Sequence, residues 1–308
     1  MPIVTCQGLR LRDILHAPPG GPAPVLAWLG QAGVLVRCRA GLLAIDPYLS
    51  DSLAAKYRGA RFPHVRMMPP PIALEELTAL NAVFCTHSHT DHMDPGTLGP
   101  LARVNPGCRF VVPRSGRATA EERGVPPERL ITADAGETGT VGAVRWHALA
   151  SAHEELKTDA AGRQMFLGYV IELEGLRIYH SGDCAPYPGL AAELRRHGVD
   201  VAILPVNGRD MQRSAAGIPG NFTFAEAVDL CRHAGIGAML ACHFGMFDFN
   251  TVGEAWLDEQ IAAVAGPPQC VRPDVTTVYE LHASRAAVEG SSESCGEWVG
   301  VRSRAAPL

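Results

Sequence analysis

The sequence predicts an α/β protein whose chemistry gathers at one edge, where apolar strands hand over to polar residues. Three observations carry that expectation. Apolar runs end at 86, near 180, near 205 and at 242, and each delivers polar residues at its tip. Hairpins and strand–helix units occur in both halves of the chain, without an internal repeat in the letters. Three of the 12 histidines fall within six positions of the segment "FCTHSHTDHMD" (84–94).

The elements follow in order. "VLAWLG" (25–30) and "VLVRC" (34–38) read as strands, and Ala40–Gly41 turns the second into "LLAIDP" (42–47), which makes a hairpin. Residues 62–71 hold four prolines and read as a loop. "ALEELTAL" (73–80) reads as a short helix and "AVFCT" (82–86) as a buried strand. "FLGYVIEL" (166–173), the turn Glu174–Gly175 and "LRIYHSGD" (176–183) form a second hairpin. "LAAELRRHG" (190–198) is a helix with Gly198 as its stop, and "VAILPVNG" (201–208) is a strand. Thr223 and Glu226 make a capping box for a helix that stops near Gly235. "IGAMLACH" (236–243) is a strand that ends on His243.

The bulk numbers bound the class. A chain of 308 residues, 47% hydrophobic and 19% charged, can fill the core of a large α/β domain. The expected organisation is one domain over 1–285, with 1–24 as an N-terminal extension and 286–308 as a weakly ordered tail. A net charge of −5 without a basic stripe or polybasic tract gives no reason to expect a nucleic-acid or membrane partner. The expected partner is a small-molecule substrate, and assembly into a homo-oligomer is left open. The first 24 residues lack a continuous apolar segment, so no signal peptide is expected. No stretch approaches the ~18 uncharged apolar residues of a spanning helix. Nine scattered cysteines without a CxxC pair fit reduced thiols in a cytoplasmic protein.

His87, His89, Asp91 and His92 lie where a strand runs into a loop, which is where α/β folds place their chemistry. His153, Asp183 and His243 stand at the tips of later strands and extend the set to seven nitrogen or oxygen donors. Such donors suit Zn, Mn or Fe. In an extended segment residues 87 and 89 point the same way and can grip one ion. Asp91 and His92 follow a turn that aims them at a second. Seven donors suffice for two divalent ions with one shared carboxylate, and two-metal sites of that kind hold a bridging hydroxide and run hydrolysis.

The order of these residues resembles the metallo-β-lactamase superfamily, whose HxHxDH signature "HSHTDH" fits. The segments "WLGQAGVLVR", "IYHSGDCAPY", "VAILPVNGRD" and "CHFGMFDFNT" resemble its L-ascorbate 6-phosphate lactonase-like branch. The resemblance implies an αββα four-layer sandwich of two mixed, mostly antiparallel sheets. It also implies that His87, His89 and His153 hold one ion, that Asp91, His92 and His243 hold the other, and that Asp183 bridges them. Asp46 in "AIDP" matches an early aspartate with a structural role.

The remaining residues divide by simpler arguments. Asp91 and Asp183 are the catalytic candidates, as proton carriers to the leaving group. Asn207 and Arg209 end a strand at the presumed edge, where Arg209 could clamp a carboxylate or phosphate or else brace a loop. His180 either donates to a ligand carboxylate or packs at a strand end. Met246, Phe247 and Phe249 either wall a pocket or belong to the core. His16, His64, His197, His233 and His282 read as hydrogen-bonded structural residues. The expected activity is hydrolysis of a lactone, or a related ester or amide, of a small polar metabolite. The alternatives are a phosphodiesterase on a cyclic nucleotide, nucleic acid or phospholipid, and a metal-stabilised protein that binds without catalysis.

Overall fold

A computed structural model describes residues 5–6, 11–16 and 23–282. The expected tail at 286–308 lies outside the described residues. The first sheet takes β1 (Thr5–Cys6), β2 (Val25–Gly30), β3 (Gly33–Cys38), β4 (Gly41–Ile45), β5 (Leu80–Phe84), β6 (Arg109–Pro113) and β7 (Leu130–Ala133). The second takes β8 (Thr138–Val141), β9 (Val144–Ala150), β10 (Leu167–Leu173), β11 (Leu176–His180), β12 (Val201–Pro205), β13 (Ala238–Cys242) and β14 (Gln269–Val271). The chain then returns to the first sheet with β15 (Val278–Glu280), between β1 and β2. The strand orders are β1-β15-β2-β3-β4-β5-β6-β7 and β14-β13-β12-β11-β10-β9-β8. Each sheet is antiparallel on one side and parallel on the other. Seven of the thirteen pairings among described strands are antiparallel, so the expected bias is slight.

The strands read as continuous apolar runs because both faces are covered. In the first sheet Trp28, Val36, Ile45, Phe84 and Val111 point inward, to one interior shared with Trp146, Tyr169 and Ile171 of the second. Their neighbours Ala27, Leu35, Ala44, Val83 and Val112 point outward. There they meet α1 (Leu11–His16), α3 (Pro95–Val104) and α4 (Arg117–Glu122) through Ile14, Leu98, Leu101 and Ala120. On the second sheet α7 (Phe224–Ala234) lies against β12 and β13, and α5 (Leu190–His197) lies against α7; α2 (Ser52–Lys56), α6 (Met211–Ala215) and α8 (Glu254–Ala262) complete the α-helices of the described residues. The result is the helix–sheet–sheet–helix sandwich. Phe84 meets Tyr169 edge-on at 5.4 Å, and Trp28 stacks on Phe244 at 4.7 Å. Such pairs add about 1 kcal/mol each beyond the area they bury. The Tyr169 hydroxyl donates to the Cys85 carbonyl at 3.1 Å, tying the second sheet to the strand end that precedes the histidine-rich loop.

Several local expectations are met. Thr223 caps α7 in a capping box with Glu226, and α7 ends on Gly235 at φ 75°. α5 ends on Gly198 at φ 60°. The helix expected over 73–80 is reduced to one tight turn, Leu74–Glu76. Its backbone is captured by Asn105, whose side chain accepts from Leu80 N at 2.9 Å and donates to Leu77 O at 2.6 Å. Those groups are thereby withdrawn from a helical ladder and Leu80 starts β5 instead. The N-terminal extension is not peripheral: β1 pairs with β15, and Arg37 donates to the C-terminal carbonyls of Ile14 and Leu15 in α1.

Gly182, in the loop after β11, is required by its surroundings. Its φ is +60°, and a β-carbon there would lie 2.5 Å from Thr86 Oγ1. Gly175 also has positive φ, at 86°, but faces open space. Gly182→Ala is expected to cost about 3 kcal/mol in denaturant unfolding, from overpacking plus backbone strain, whereas Gly175→Ala should cost about 1 kcal/mol. Equal losses would show that the approach to Thr86 is not what fixes this loop.

Candidate metal centre

Four loops meet at one end of the sandwich. The loop after β5 carries His87, His89, Asp91 and His92, and is closed by hydrogen bonds from His92 N and Met93 N to His89 O at 3.2 and 2.9 Å. Asp94 ends it by capping α3, accepting from Gly96 N at 3.0 Å. Arg123 donates to the carbonyls of His89 and Met93 and so braces the same turn. His153 follows β9, Asp183 follows β11 and His243 follows β13. The Ser151 hydroxyl ties two of these loops together through the carbonyls of Ser181 and Asp183, both at 2.9 Å.

The seven side chains converge in two groups. Donor atoms of His87, His89, His153 and Asp183 lie within 4.8 Å of one another, and so do those of Asp91, His92 and His243. Asp183 faces both. Its Oδ1 is 3.2 Å from Nε2 of His92 and of His243, while its Oδ2 is 3.5 Å from His153 Nε2. Asp91 Oδ2 is 3.7 Å from the same two nitrogens of His92 and His243. Donors about 2.1 Å from a shared tetrahedral ion lie about 3.4 Å apart, so this spacing fits a cation such as Zn. His87 Nε2, His92 Nε2 and Asp183 Oδ1 are buried without a hydrogen-bond partner. An unmet buried polar atom costs about 1–3 kcal/mol, and a native interior holds few. One such nitrogen in each donor group, with the Asp183 carboxylate between them, is what bound divalent cations would satisfy.

Surrounding groups aim the donors. Asp46 Oδ2 lies 2.7 Å from His92 Nδ1 and accepts from Thr86 Oγ1 at 2.6 Å, while Asp46 Oδ1 accepts from Thr86 N at 2.8 Å. The Thr86 hydroxyl is also 3.0 Å from His87 Nδ1. The Nδ1 atoms of both rings are therefore occupied, and Nε2 of each faces the centre. His243 is placed by Gln31, whose carbonyl accepts from His243 N at 2.8 Å. The Gln31 Nε2 lies 2.9 Å from both Asp91 Oδ2 and His243 Nε2.

Electrostatics divides the imidazoles. Burial pushes His87 and His89 down and His153 to about 4, so these rings are neutral with free lone pairs. Burial also opposes charge on His92 and His243, but Asp183 and its neighbouring carboxylates override it. They raise His92 well above its ordinary value and His243 to about 9. Against the same burial, the charge of His92 holds the Asp91 carboxyl below the ordinary carboxylate range, and that of His243 does so for Asp183.

Other sequence expectations sort by position. His180 braces the strand end: its Nε2 is 2.8 Å from Ala32 O and its Nδ1 accepts from Gly182 N at 3.0 Å. It makes no bond to a site carboxylate. Asn207 and Arg209, expected to touch substrate, do not line the cavity. Arg209 forms a two-point pair with Glu226 at 2.6 and 2.7 Å and donates to Asn221 O, which is the loop-bracing alternative. Asn207 is turned to Asn250 and Asn221. The cavity over the centre measures about 840 Å³ and exposes His89, Asp91, His153, Asp183 and His243. Lys56, Arg61 and Lys157 line it as exposed cations, with Tyr57, Phe62, His64 and Phe247 as an aromatic wall. His64 combines the expected structural role with a place at the site. It does lie 2.8 Å from Phe62 O and stacks on Tyr57 at 4.2 Å, but it also faces the cavity. The three cations come from segments about 100 residues apart in sequence, so no local pattern could have grouped them.

The raised His243 makes stability depend on pH when ions are withheld. A folded-state value of about 9 against an ordinary 6.5 gives stabilisation that is present below pH 6.5 and lost as pH rises through about 9. Chelator-treated protein should therefore lose on the order of 3 kcal/mol of unfolding free energy across that window. His243→Asn should make the profile shallower, leaving the slope that the raised His92 supplies. A profile that is already flat in the unsubstituted protein would contradict the carboxylate environment described for this ring.

Comparison with known proteins agrees with this picture. The chain is 28% identical over 231 residues to a UPF0173 metal-dependent hydrolase of Myxococcus xanthus, covering 72% of this chain and 71% of the relative. It is 25% identical over 229 residues to one of Rubrobacter xylanophilus, covering 73% and 83%. Among solved structures, the isothiocyanate hydrolase from Delia radicum gut bacteria superposes with a TM-score of 0.66 at 18% identity, covering 82% of this chain and 97% of that one. Igni18, a metallo hydrolase of Ignicoccus hospitalis, superposes with a TM-score of 0.60 at 16% identity, covering 84% and 100%. At those identities the two structures establish the fold. A family profile described as the beta-lactamase superfamily domain matches residues 43–244, which contain all seven converging side chains. The chain belongs to this superfamily.

Proposed function

We propose that this protein is a metal-dependent hydrolase. Two divalent ions, Zn or Mn with Fe as a further option, would be held by His87, His89 and His153 and by Asp91, His92 and His243, with Asp183 between them. The observation that carries this reading is Asp183, whose two carboxylate oxygens face the two donor groups separately. The names of the relatives support the hydrolase class. Ions bound at such a centre supply an acidified water and polarise the bond under attack.

The chain's own residues define the rest. Asp91 and Asp183 border the cavity beside the donor groups, which places either carboxylate to carry a proton to a leaving group. Lys56, Arg61 and Lys157 are in no ion pair among the described residues, which leaves them to meet an anionic substituent. Lys56 and Arg61 lie over the Tyr57 and Phe62 rings of the aromatic wall, each 5.1 Å from the ring centroid, so apolar and cationic groups line one side of the cavity together. The substrate class that fits is a lactone, or a related ester or amide, of a small anionic metabolite, in line with the lactonase-like branch. The cations also favour a second reading, a phosphodiesterase. Cys38, Cys85, Cys108, Cys184, Cys231 and Cys242 are buried free thiols and Cys270 is a half-buried one, which suits a cytoplasmic setting. Among the described residues no helix is long and apolar enough to cross a membrane.

The test is a panel of γ- and δ-lactones with and without phosphate or carboxylate groups, simple esters and amides, and cyclic phosphodiesters, run with Mn and with Zn. An anionic lactone is expected to lead. Asp183→Asn should lower kcat by at least ~100-fold, the scale of losing a transition-state stabiliser. Lys56→Ala combined with Lys157→Ala should raise KM for anionic substrates about tenfold with kcat little changed. A phosphodiester turned over best would replace the lactonase reading. An Asp183→Asn protein at full rate would remove the bridging role.

A further inference from the structure

Gln31 occupies a position that turn chemistry does not explain. It opens the two-residue loop Gln31–Ala32 between β2 and β3, where Gly30 pairs with Gly33, and its φ is +50°. Tight hairpin loops use glycine, asparagine or aspartate at positive φ, because a β-carbon is strained there. A long amide side chain gives the turn nothing that glycine would not. The reason lies at the other end of the side chain. Gln31 is fully buried, and its Nε2 sits 2.9 Å from Asp91 Oδ2 and 2.9 Å from His243 Nε2. Its carbonyl accepts from His243 N at 2.8 Å and from the Trp28 indole at 3.0 Å. The nitrogen end must face Asp91, since an amide oxygen there would oppose a carboxylate. The Oε1 is left buried without a partner, so the amide is placed for its N–H end and not for its own satisfaction.

We propose that Gln31 is the positioning residue of the second cation site, the one formed by Asp91, His92 and His243. This rests on the reading that those three residues hold an ion. One residue grips two of the three, through backbone and side chain together, while Asp46 fixes the third. The amide donates to Asp91 Oδ2 at 2.9 Å, while the Gln31 carbonyl accepts from His243 N at 2.8 Å and so places that ring beside it. A carboxylate can accept this hydrogen bond and face a cation at the same time, so the grip on Asp91 persists when an ion is bound. Gln31 has no hydrogen bond to His87, His89 or His153 among the described residues, so its effect is confined to one of the two groups.

The test uses the full chain, stripped with chelator and dialysed, then titrated with zinc chloride by calorimetry. The melting temperature of the stripped protein is read alongside. Gln31→Met keeps the side-chain volume and removes the amide. Gln31→Gly removes the amide and relieves the turn. Asp91→Asn marks which binding step belongs to the second site. Both Gln31 variants are expected to weaken that step about 10- to 100-fold, as loss of a residue that orients metal ligands does, and to leave the other step unchanged. Stripped Gln31→Gly is expected to melt at or above the parent. Two unchanged steps in both variants would overturn the proposal. So would a parallel fall of both steps with the melting temperature, which would make Gln31 a residue of the fold. A parent protein that binds no zinc overturns the metal reading itself, an outcome distinct from both.

Discussion

The carboxylate of Asp46, fully buried at the end of β4, accepts from the backbone and hydroxyl of Thr86 and lies 2.7 Å from His92 Nδ1. Thr86 in turn lies 3.0 Å from His87 Nδ1. Through this short network one anion orients a ring in each of the two donor groups. The loop after β5 could not otherwise be held. It is irregular, and its neighbours bind it mainly at its ends, through Val111 O, Leu167 N and Tyr169 at Cys85–Thr86 and through the Asp94 cap and Arg123 beyond. A buried carboxylate that lost these partners would be strongly destabilising, so the network and the sandwich around it stand or fall together.

Backbone strain follows the same map. Among the described residues five non-glycine positions have positive φ, and Gln31, Asp46, Glu154 and His243 are four of them. The fifth, Glu174, is in an ordinary hairpin turn. Asp46 and Gln31 orient donors, His243 is a donor, and Glu154 fixes the cavity wall by accepting from Ser214 and Gly220. Strain at such a level persists only where the surrounding packing over-determines it. Here the two sheets, closed on a shared apolar interior, supply that packing.

Much of this was legible in the letters, and the limits have physical causes. Strands such as β2, β5, β10 and β13 show as apolar runs because both their faces are buried, and the donors at their ends show as sharp changes of polarity. α7 shows because its capping box and terminal glycine are local devices. α3 does not show. "PGTLGPLARV" contains two glycines and an internal proline, and becomes a helix because Asp94 caps it and Leu98 and Leu101 are buried. The reverse holds at 73–80, where good helix formers lose their backbone to Asn105. Arg209 looked like a substrate clamp because strand tips feed the site, but Glu226 of a neighbouring helix takes it. Gln31 carried a signal, a glutamine where a hairpin turn favours glycine, but its meaning needed the contact with Asp91 across 60 residues.

The central claim is that seven side chains from four loops form two adjoining cation sites sharing Asp183. Anomalous diffraction from crystals grown with zinc measures this most directly. The account requires two anomalous peaks, one within about 2.3 Å of donor atoms of His87, His89 and His153, the other equally close to Asp91, His92 and His243, with an Asp183 oxygen on each. A single peak, or zinc bound without Asp183, would contradict it.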